Sequence, residues 1–211
     1  MNLIYIGDPM CSWCWGFAPV LDAVRAQYAG KFDFRIIVGG LRPGPQAEPM
    51  DDRLREFLRE EWSKIKKVTG QPFDLAFLDR TDFLYDTEPA ARAVVAMRHL
   101  QPESEFDFFK RMQRAFYAEN TDISDPAHCC RLAEEFGVDG AAFAARMASQ
   151  EIVEAIQRDF EEAQGIGVRG FPSLVVEADG AYGLVTYGYR TLDPVRAALD
   201  HVLSRGPAAF T

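Results

Sequence analysis

Hydrophobic positions along the first 40 residues predict a strand, a helix and a second strand. The apolar run from Leu3 to Ile6 is typical of a short strand that is buried on both faces. Apolar residues then recur at helical spacing and form a core-facing stripe of Phe17, Val20, Leu21, Val24 and Tyr28. Gly30 ends this helix, and residues 32–38 form the second strand. Residues 1–40 are therefore predicted to be one β-α-β unit.

The C-terminal pattern predicts a different unit. Residues 173–176 form a short apolar strand, and Asp179-Gly180 is a turn signal. Residues 184–189 form the returning strand. A closing helix over 192–203 has one apolar face, made of Leu192, Val195, Leu199 and Val202. This part of the chain is predicted to be a β-β-α unit.

Between the two units the pattern is mostly helical. The predicted helices cover about 51–68, 88–100, 103–117, 126–137, 139–148 and 152–165. Thr87 is the predicted N-cap of the second of these helices. Ser124-Asp125-Pro126 combines an N-cap with a proline in the first turn and starts the fourth. The segment from Gly40 to Pro49, which contains three prolines, marks the entry into this helical region.

This order of elements predicts an α/β protein with a thioredoxin fold (βαβ…ββα) that carries a large inserted all-helical domain. The thioredoxin-like domain is predicted to be discontinuous, with residues 1–44 in one part and 166–211 in the other. The helical insertion covers residues 45–165. Its last helix, about residues 150–165, could instead belong to the thioredoxin-like domain.

Composition and charge narrow the functional classes. The 211 residues are 48% hydrophobic, which is enough for a sizeable core, and the net charge is -9. An acidic chain is expected to be soluble and has no charge-driven affinity for nucleic acid. No run of about 18 apolar residues is present, so membrane association is not expected. The first residues form a strand and a turn rather than a secretory signal, so we expect a cytoplasmic protein.

Cys11 and Cys14 lie at the junction of the first strand and its helix, with Ser12 and Trp13 between them. The N-terminus of a helix favours a thiolate, and a spacing of three residues brings two sulfurs close enough for a disulfide. Cys11, at the helix entry, is predicted to be the exposed attacking thiol. Cys14, one turn inside, is predicted to resolve the mixed disulfide. The pair therefore favours dithiol redox chemistry.

Two other interpretations of this pair stay open, a zinc site and two structural thiols. Zinc needs a second pair of ligands, but the only other cysteines, Cys129 and Cys130, are adjacent. Consecutive helical residues point about 100° apart, so His128-Cys129-Cys130 cannot all bind one ion. No metal is therefore predicted. Cys129 falls on the buried face of its helix as a structural thiol, whereas Cys130 is a candidate for glutathionylation or an intermolecular bridge.

A second motif, from Gly167 to Ser173, precedes the third main strand and contains Phe171-Pro172. Proline is tolerated at the start of a strand. A cis Phe171–Pro172 bond would leave the backbone N–H and C=O of Phe171 free to pair with an extended substrate. The alternative is an ordinary trans proline in a loop, since only about 5–6% of such bonds are cis.

Together, the two motifs resemble those of the DsbA family, in particular its cytoplasmic, FrnE-like branch. Segments of the helical region, Thr87–Val95 and Phe116–Ile123, also resemble that branch, and the resemblance spans about residues 3–203. It implies a thioredoxin fold with an inserted helical domain. It also implies Cys11 as nucleophile, Cys14 as resolving thiol and Pro172 as a cis-proline facing them.

The residues between the cysteines differ from the Pro-His of the periplasmic oxidants of this family. Ser12 and Trp13 bring no positive charge, so we hypothesise a weaker oxidant, which titration against glutathione would measure. Trp13 is expected to form a substrate-binding rim with Phe171 and Pro172. Trp15 is expected in the core. Asp8 is expected to start a turn with the proline that follows it, and the alternative is that it perturbs the cysteine pair.

The expected partners are protein or small-molecule thiols and disulfides. No cofactor is expected beyond the redox-active cysteines, with glutathione as a candidate co-substrate. The alternative function is a glutathione-dependent isomerase or transferase of the kappa type, a class that carries serine where Cys11 stands. A non-enzymatic binding module on the same scaffold is a third class.

Overall fold

The computed structural model describes residues 1–206, which form a four-stranded sheet in the order β2-β1-β5-β6. Its strands are β1 (Asn2–Gly7), β2 (Asp33–Val38), β5 (Ser173–Ala178) and β6 (Ala181–Tyr187). β1 pairs in parallel with β2, whereas β5 runs antiparallel to both β1 and β6. A separate two-stranded ribbon joins β3 (Glu48–Pro49) to β4 (Leu84–Tyr85).

Eight α-helices accompany the strands within residues 1–206. They are α1 (Ser12–Gln27), α2 (Asp52–Thr69), α3 (Glu88–Leu100), α4 (Glu105–Ala118), α5 (Pro126–Glu134), α6 (Gly140–Ala148), α7 (Gln150–Gly165) and α8 (Leu192–Arg205). The element order is the predicted one, and the inserted region is helical apart from the short ribbon. The predicted domain boundaries stay predictions, and the last five residues of the range 166–211 lie outside the described part.

Both faces of β1 are buried, as its unbroken apolar run predicts. Leu3 and Tyr5 point into the larger core, which includes α1, α8 and much of the helical region. Ile4 and Ile6 point to the opposite face, where Ala163 of α7 covers them. The alternation of side chains along a strand therefore places α7 on one side of the sheet and the inserted helices mainly on the other.

Arg98 joins the helical region to the sheet. Its guanidinium donates to Asp159 on α7 at 2.9 and 3.0 Å, to Glu105 on α4 at 2.6 Å and to the carbonyl of Ile36 in β2 at 2.9 Å. Asp159 in turn accepts from the backbone N–H of Val38 at 2.9 Å. One buried charge cluster thus holds α3, α4, α7 and the end of β2 together.

The hairpin between β5 and β6 confirms the predicted turn, since Asp179 and Gly180 both adopt positive φ angles, 53° and 78°. The returning strand is shifted from the predicted 184–189. It ends at Tyr187, because Gly188 has a φ of 75° and Tyr189 leaves the sheet to pack against Trp13, with 5.5 Å between the ring centroids.

Thr87 is the N-cap residue of α3, as predicted, but its side chain does not cap the helix. Its backbone is already helical, and its side chain makes no capping hydrogen bond. Instead, the carboxylate of Asp86 accepts from the backbone N–H of Glu88 at 2.9 Å. The hydroxyl of Thr87 accepts from the backbone N–H of Arg42 at 3.0 Å. Thr87 therefore fastens the loop after β2 to the start of α3.

Candidate active site

Cys11 is the N-cap of α1, and its backbone is extended. Its sulfur accepts a hydrogen bond from the backbone N–H of Cys14 at 3.4 Å. The N–H of Cys14 is one of the unpaired donors at the start of the helix, and such donors stabilise negative charge. Both cysteines are free thiols in the structure.

The expectation that Cys11 is exposed is wrong in this structure. Cys11 is only 6% exposed, although it is more accessible than Cys14, which is completely buried. One reason is the segment before β5, since the carbonyl of Phe171 lies 3.8 Å from the Cys11 sulfur.

The Phe171–Pro172 peptide bond is cis. Pro172 is buried, and the thiol of Cys11 donates a weak hydrogen bond to the carbonyl of Phe171. The Phe171 ring packs against Gly39 so closely that a Cβ atom there would lie 2.1 Å from the ring. The structure thus brings Cys11 and Phe171, 160 positions apart in the sequence, to one place.

Trp13 is held on three sides and is only half-exposed. Its indole N–H donates to the carboxylate of Glu61 at 3.2 Å, and the ammonium of Lys64 lies 5.6 Å from its ring centroid. Tyr189 packs on the ring from the segment before α8. Glu61 and Lys64 belong to α2, so the helical insertion directly positions a residue between the two cysteines. Trp15 is buried, as predicted.

Asp8 does more than start a turn. Its completely buried carboxylate accepts from the backbone N–H of Met10 and of Leu41, each at 2.8 Å, and its carbonyl accepts from the backbone N–H of Cys11 at 3.0 Å. Burial raises the pKa of Asp8 to about 6, although these two hydrogen bonds to the carboxylate lower it. Asp8 therefore ties the loop that presents Cys11 to the loop after β2.

Replacing Asp8 by asparagine should change how stability depends on pH. A carboxyl group whose pKa rises from 3.8 to about 6 on folding stabilises the folded state fully below pH 4 and loses that contribution as pH rises through 6. At roughly 1.4 kcal/mol per pH unit, the loss amounts to about 3 kcal/mol. The unfolding free energy of the wild type, relative to Asp8→Asn, should therefore fall by about that amount between pH 4 and 7.

Urea unfolding at several pH values measures this difference. Asp82→Asn is the matched control, because its side chain is exposed and the same chemical change should leave the pH dependence as it is in the wild type. If the difference in unfolding free energy between the wild type and Asp8→Asn stayed constant across this pH range, the carboxyl group of Asp8 would not have a raised pKa in the folded state.

The thiol of Cys14 is surrounded by titratable groups. Burial raises its pKa well above the usual value, and the neighbouring Cys11 thiol raises it further. The hydroxyl of Tyr5 and the backbone N–H of Asp8 act in the opposite direction and lower the pKa of Cys14. Sequence reasoning overlooked Tyr5, because a tyrosine in an apolar strand has the pattern of a core residue.

The second pair of cysteines lies apart from this site, on α5. Cys129 is completely buried, its thiol donates to the carbonyl of Ile123 at 3.2 Å, and burial raises its pKa. This confirms that its side chain is buried. Cys130 is partly exposed. Within residues 1–206, no three His, Cys, Asp or Glu side chains are grouped as a metal site would require.

A family model described as a DSBA-like thioredoxin domain matches residues 5–200. The chain belongs to the DsbA-like thioredoxin family. This confirms the resemblance of the two motifs to that family and the predicted α/β thioredoxin fold with a helical insertion.

Solved structures place this DsbA-like chain among similar proteins of the same size. A candidate protein disulfide isomerase from Nitrosomonas europaea is 37% identical, with a TM-score of 0.89, and the match covers 97% of this chain and 98% of that protein. The cytosolic disulfide reductase DsbM from Pseudomonas aeruginosa is 27% identical, with a TM-score of 0.80 and coverage of 97% and 99%. A structure of DsbM with glutathione matches similarly, at 25% identity and a TM-score of 0.79.

A curated relative of this DsbA-like chain is longer. The ClpXP adapter protein SpxH from Bacillus subtilis is 26% identical over 168 residues, which is 79% of this chain but only 55% of SpxH. No helix within the described residues of the chain has the length and apolar character needed to cross a membrane.

Proposed function

We propose that this protein is a thiol–disulfide oxidoreductase in which Cys11 is the nucleophile and Cys14 the resolving thiol. The observation that carries the proposal is the position of the Cys11 sulfur. It lies at the N-terminus of α1, 3.4 Å from the backbone N–H of Cys14 and 3.8 Å from the carbonyl of Phe171. Backbone donors favour the thiolate on one side, and a backbone acceptor for an extended substrate stands on the other.

The reaction proceeds in two exchanges. The thiolate of Cys11 attacks one sulfur of a substrate disulfide R–S–S–R′, forms Cys11–S–S–R and expels R′–S⁻. Cys14 then loses its proton and attacks the Cys11 sulfur. The Cys11–Cys14 disulfide forms, the bond to R breaks, and R–S⁻ takes up the proton as R–SH. The protein is oxidised by two electrons and the substrate is reduced by two, and the reverse sequence oxidises a dithiol substrate.

Low-molecular-weight thiols and disulfides, glutathione among them, are the proposed exchange partners, together with cysteine-containing proteins. The proposal is supported by the relative DsbM, a cytosolic disulfide reductase whose structure with glutathione is similar over nearly the whole chain. We propose the same reducing compartment, the cytoplasm, for this protein.

The environment of Trp13 supports the hypothesis of a weak oxidant. Lys64 brings a positive charge near Trp13, but it also pairs with Glu61 at 3.1 Å. The nearby cation is therefore largely neutralised and contributes little to stabilising a thiolate at Cys11. Ser12 and Trp13 are proposed to tune the redox potential through contacts rather than charge.

Trapping the mixed disulfide tests the proposal. In Cys14→Ser the first exchange can occur but the second cannot, so oxidised glutathione should leave one glutathione bound to Cys11 when the partly exposed Cys130 is also replaced by serine in every protein. Intact-mass spectrometry, followed by peptide mapping, measures the adduct and its position. Cys11→Ser should carry none at position 14, because that thiol is buried. A glutathione adduct on Cys14 rather than Cys11 would contradict the assigned roles.

The same variants distinguish the dithiol mechanism from the alternative function, a glutathione-dependent isomerase or transferase of the kappa type. A glutathione-dependent reaction needs only the first thiol, so Cys14→Ser would retain activity towards an electrophile in the presence of glutathione. Disulfide reduction needs both cysteines. We expect Cys14→Ser to lose insulin reduction, and retention of wild-type activity in both single variants would exclude the dithiol mechanism.

A further inference from the structure

The hydroxyl of Tyr5 is buried behind the cysteine pair. Tyr5 is 1% exposed and lies on β1, with its ring stacked on Phe17 at 6.3 Å and meeting Phe109 edge-on at 5.6 Å. Among the described residues, this hydroxyl has no partner at ordinary hydrogen-bond geometry. A buried hydroxyl without a partner costs free energy, and this one is free to donate to a neighbouring group that becomes charged.

Gly7 explains where the hydroxyl points. Tyr5 and Gly7 lie two residues apart on the same face of β1. A Cβ atom at Gly7 would lie 2.7 Å from the Tyr5 hydroxyl oxygen, so the phenol occupies the space that any other residue there would fill. Gly7 is the last residue of β1 and leads into the loop that carries the cysteines. The strand therefore aims the hydroxyl towards the first turn of α1.

Cys14 lies on the same face of α1 as Phe17, one helical turn nearer its N-terminus, and the Tyr5 ring stacks on Phe17. Cys14, Phe17 and Tyr5 are all buried in the same core. The Tyr5 hydroxyl and the Cys14 thiol each shift the pKa of the other, and Tyr5 lowers that of Cys14. Burial keeps the pKa of Tyr5 itself well above its usual value, so Tyr5 stays protonated and its O–H is available as a donor. The other titratable groups that act on Cys14 are Cys11 and, through its backbone N–H, Asp8.

We propose that the Tyr5 hydroxyl donates a hydrogen bond to the Cys14 thiolate and so supports its attack on the mixed disulfide at Cys11. The inference rests on the proposed function. A completely buried thiol is a poor source of thiolate, because burial penalises the charged form. A hydrogen bond to an ionised acceptor is much stronger than one to a neutral thiol, so the donor acts mainly when Cys14 loses its proton. The proton leaves with the departing thiolate R–S⁻, and Tyr5 keeps its own.

In the reaction with the aromatic disulfide DTNB, the attack by Cys11 and the later attack by Cys14 are observed as separate phases. Cys130→Ser is introduced into every protein so that this partly exposed thiol does not react. The Cys11 thiolate releases one TNB anion and keeps the second TNB as a mixed disulfide. Cys14 then attacks the Cys11 sulfur and releases the second TNB anion. Stopped-flow absorbance measures both phases as a function of pH.

Tyr5→Phe should slow the second phase about ten-fold at neutral pH and move its pH midpoint upward, while the first phase stays within two-fold. Tyr117→Phe is the matched control, because Tyr117 is also a completely buried tyrosine whose hydroxyl lacks a partner among residues 1–206. It should leave the second phase unchanged. A midpoint shift in Tyr5→Phe alone cannot come from a general loss of packing, and thermal unfolding checks that both variants fold.

The experiment distinguishes a failure of the proposed role of Tyr5 from a failure of the proposed dithiol mechanism. A second phase in Tyr5→Phe with the wild-type rate and midpoint would overturn the role of Tyr5 and leave the dithiol mechanism standing. Release of a single TNB by the otherwise unchanged protein would instead overturn the proposed function. An equal slowing in Tyr5→Phe and Tyr117→Phe would assign the effect to packing and would also reject the role of Tyr5.

Discussion

Replacing Cys11 by serine should lower the rate of disulfide reduction by more than about 1,000-fold, to the level of the uncatalysed exchange. The serine hydroxyl is a far weaker nucleophile than a thiolate and cannot form the mixed disulfide. The backbone N–H of Cys14 and the carbonyl of Phe171 would still be in place, but the sulfur on which they act would be missing. Insulin reduction followed by turbidity, or reduction of oxidised glutathione, measures the loss.

Cys130→Ser provides the matched control, because it makes the same chemical change at a partly exposed thiol on α5, away from the site. Its activity should stay within two-fold of the wild type. If Cys11→Ser retained a tenth of the wild-type rate, the chemistry would have to reside elsewhere in the chain. Comparable loss in both variants would indicate that oxidation of Cys130, rather than exchange at Cys11, controls activity.

Replacing Arg98 by alanine should lower the free energy of unfolding by about 3–5 kcal/mol. The side chains of Asp159 and Glu105 are only 5% and 9% exposed, and both would lose the guanidinium that compensates their burial. Arg98 also occupies the carbonyl of Ile36 in β2. Chemical unfolding followed by circular dichroism measures the change.

Arg98→Lys should lose less stability than Arg98→Ala, but the loss should still be measurable. A single ammonium group cannot donate to both carboxylates and the carbonyl in the way that the planar guanidinium does. Arg114→Ala is the matched control, since Arg114 pairs with Glu119 but its side chain is 67% exposed. Such a surface pair contributes at most about 1 kcal/mol. A similar cost for Arg98→Ala and Arg114→Ala would mean that the buried cluster does not hold the helical region to the sheet.

Arg98→Ala should also disturb the active site. Asp159 holds the backbone N–H of Val38, the last residue of β2. The next residue, Gly39, seats the Phe171 ring. A loosened β2 would therefore displace the carbonyl that faces Cys11, so we expect a lower activity even under conditions in which the variant is folded.

Local patterns in the sequence sufficed for the order of the elements. The apolar run in β1, the helical stripe after it and the Asp179-Gly180 turn each depend on near neighbours, and the structure contains all three. The position of Cys11 at the start of α1 follows from the same local pattern. Burial of Cys129 follows from helical periodicity alone.

Contacts between segments that are distant in the sequence could not be predicted from local patterns. No local signal indicates that Glu61 of α2 would bind the indole of Trp13, or that Leu41 would donate to the carboxylate of Asp8. The burial of Cys11 has the same origin, because it depends on a segment 160 residues away. The spacing of the two cysteines predicts which residues react, whereas their accessibility is decided by the fold.

The position of Trp13 should make its fluorescence sensitive to the redox state of the cysteine pair. The chain has three tryptophans, and Trp15 and Trp62 are buried in cores. Only Trp13 lies between Cys11 and Cys14 in the sequence, and its indole N–H donates to Glu61 of α2. Sulfur in a thiolate or a disulfide quenches a neighbouring indole to different extents, so the intrinsic fluorescence of Trp13 should follow each turnover of the cysteine pair without any added dye.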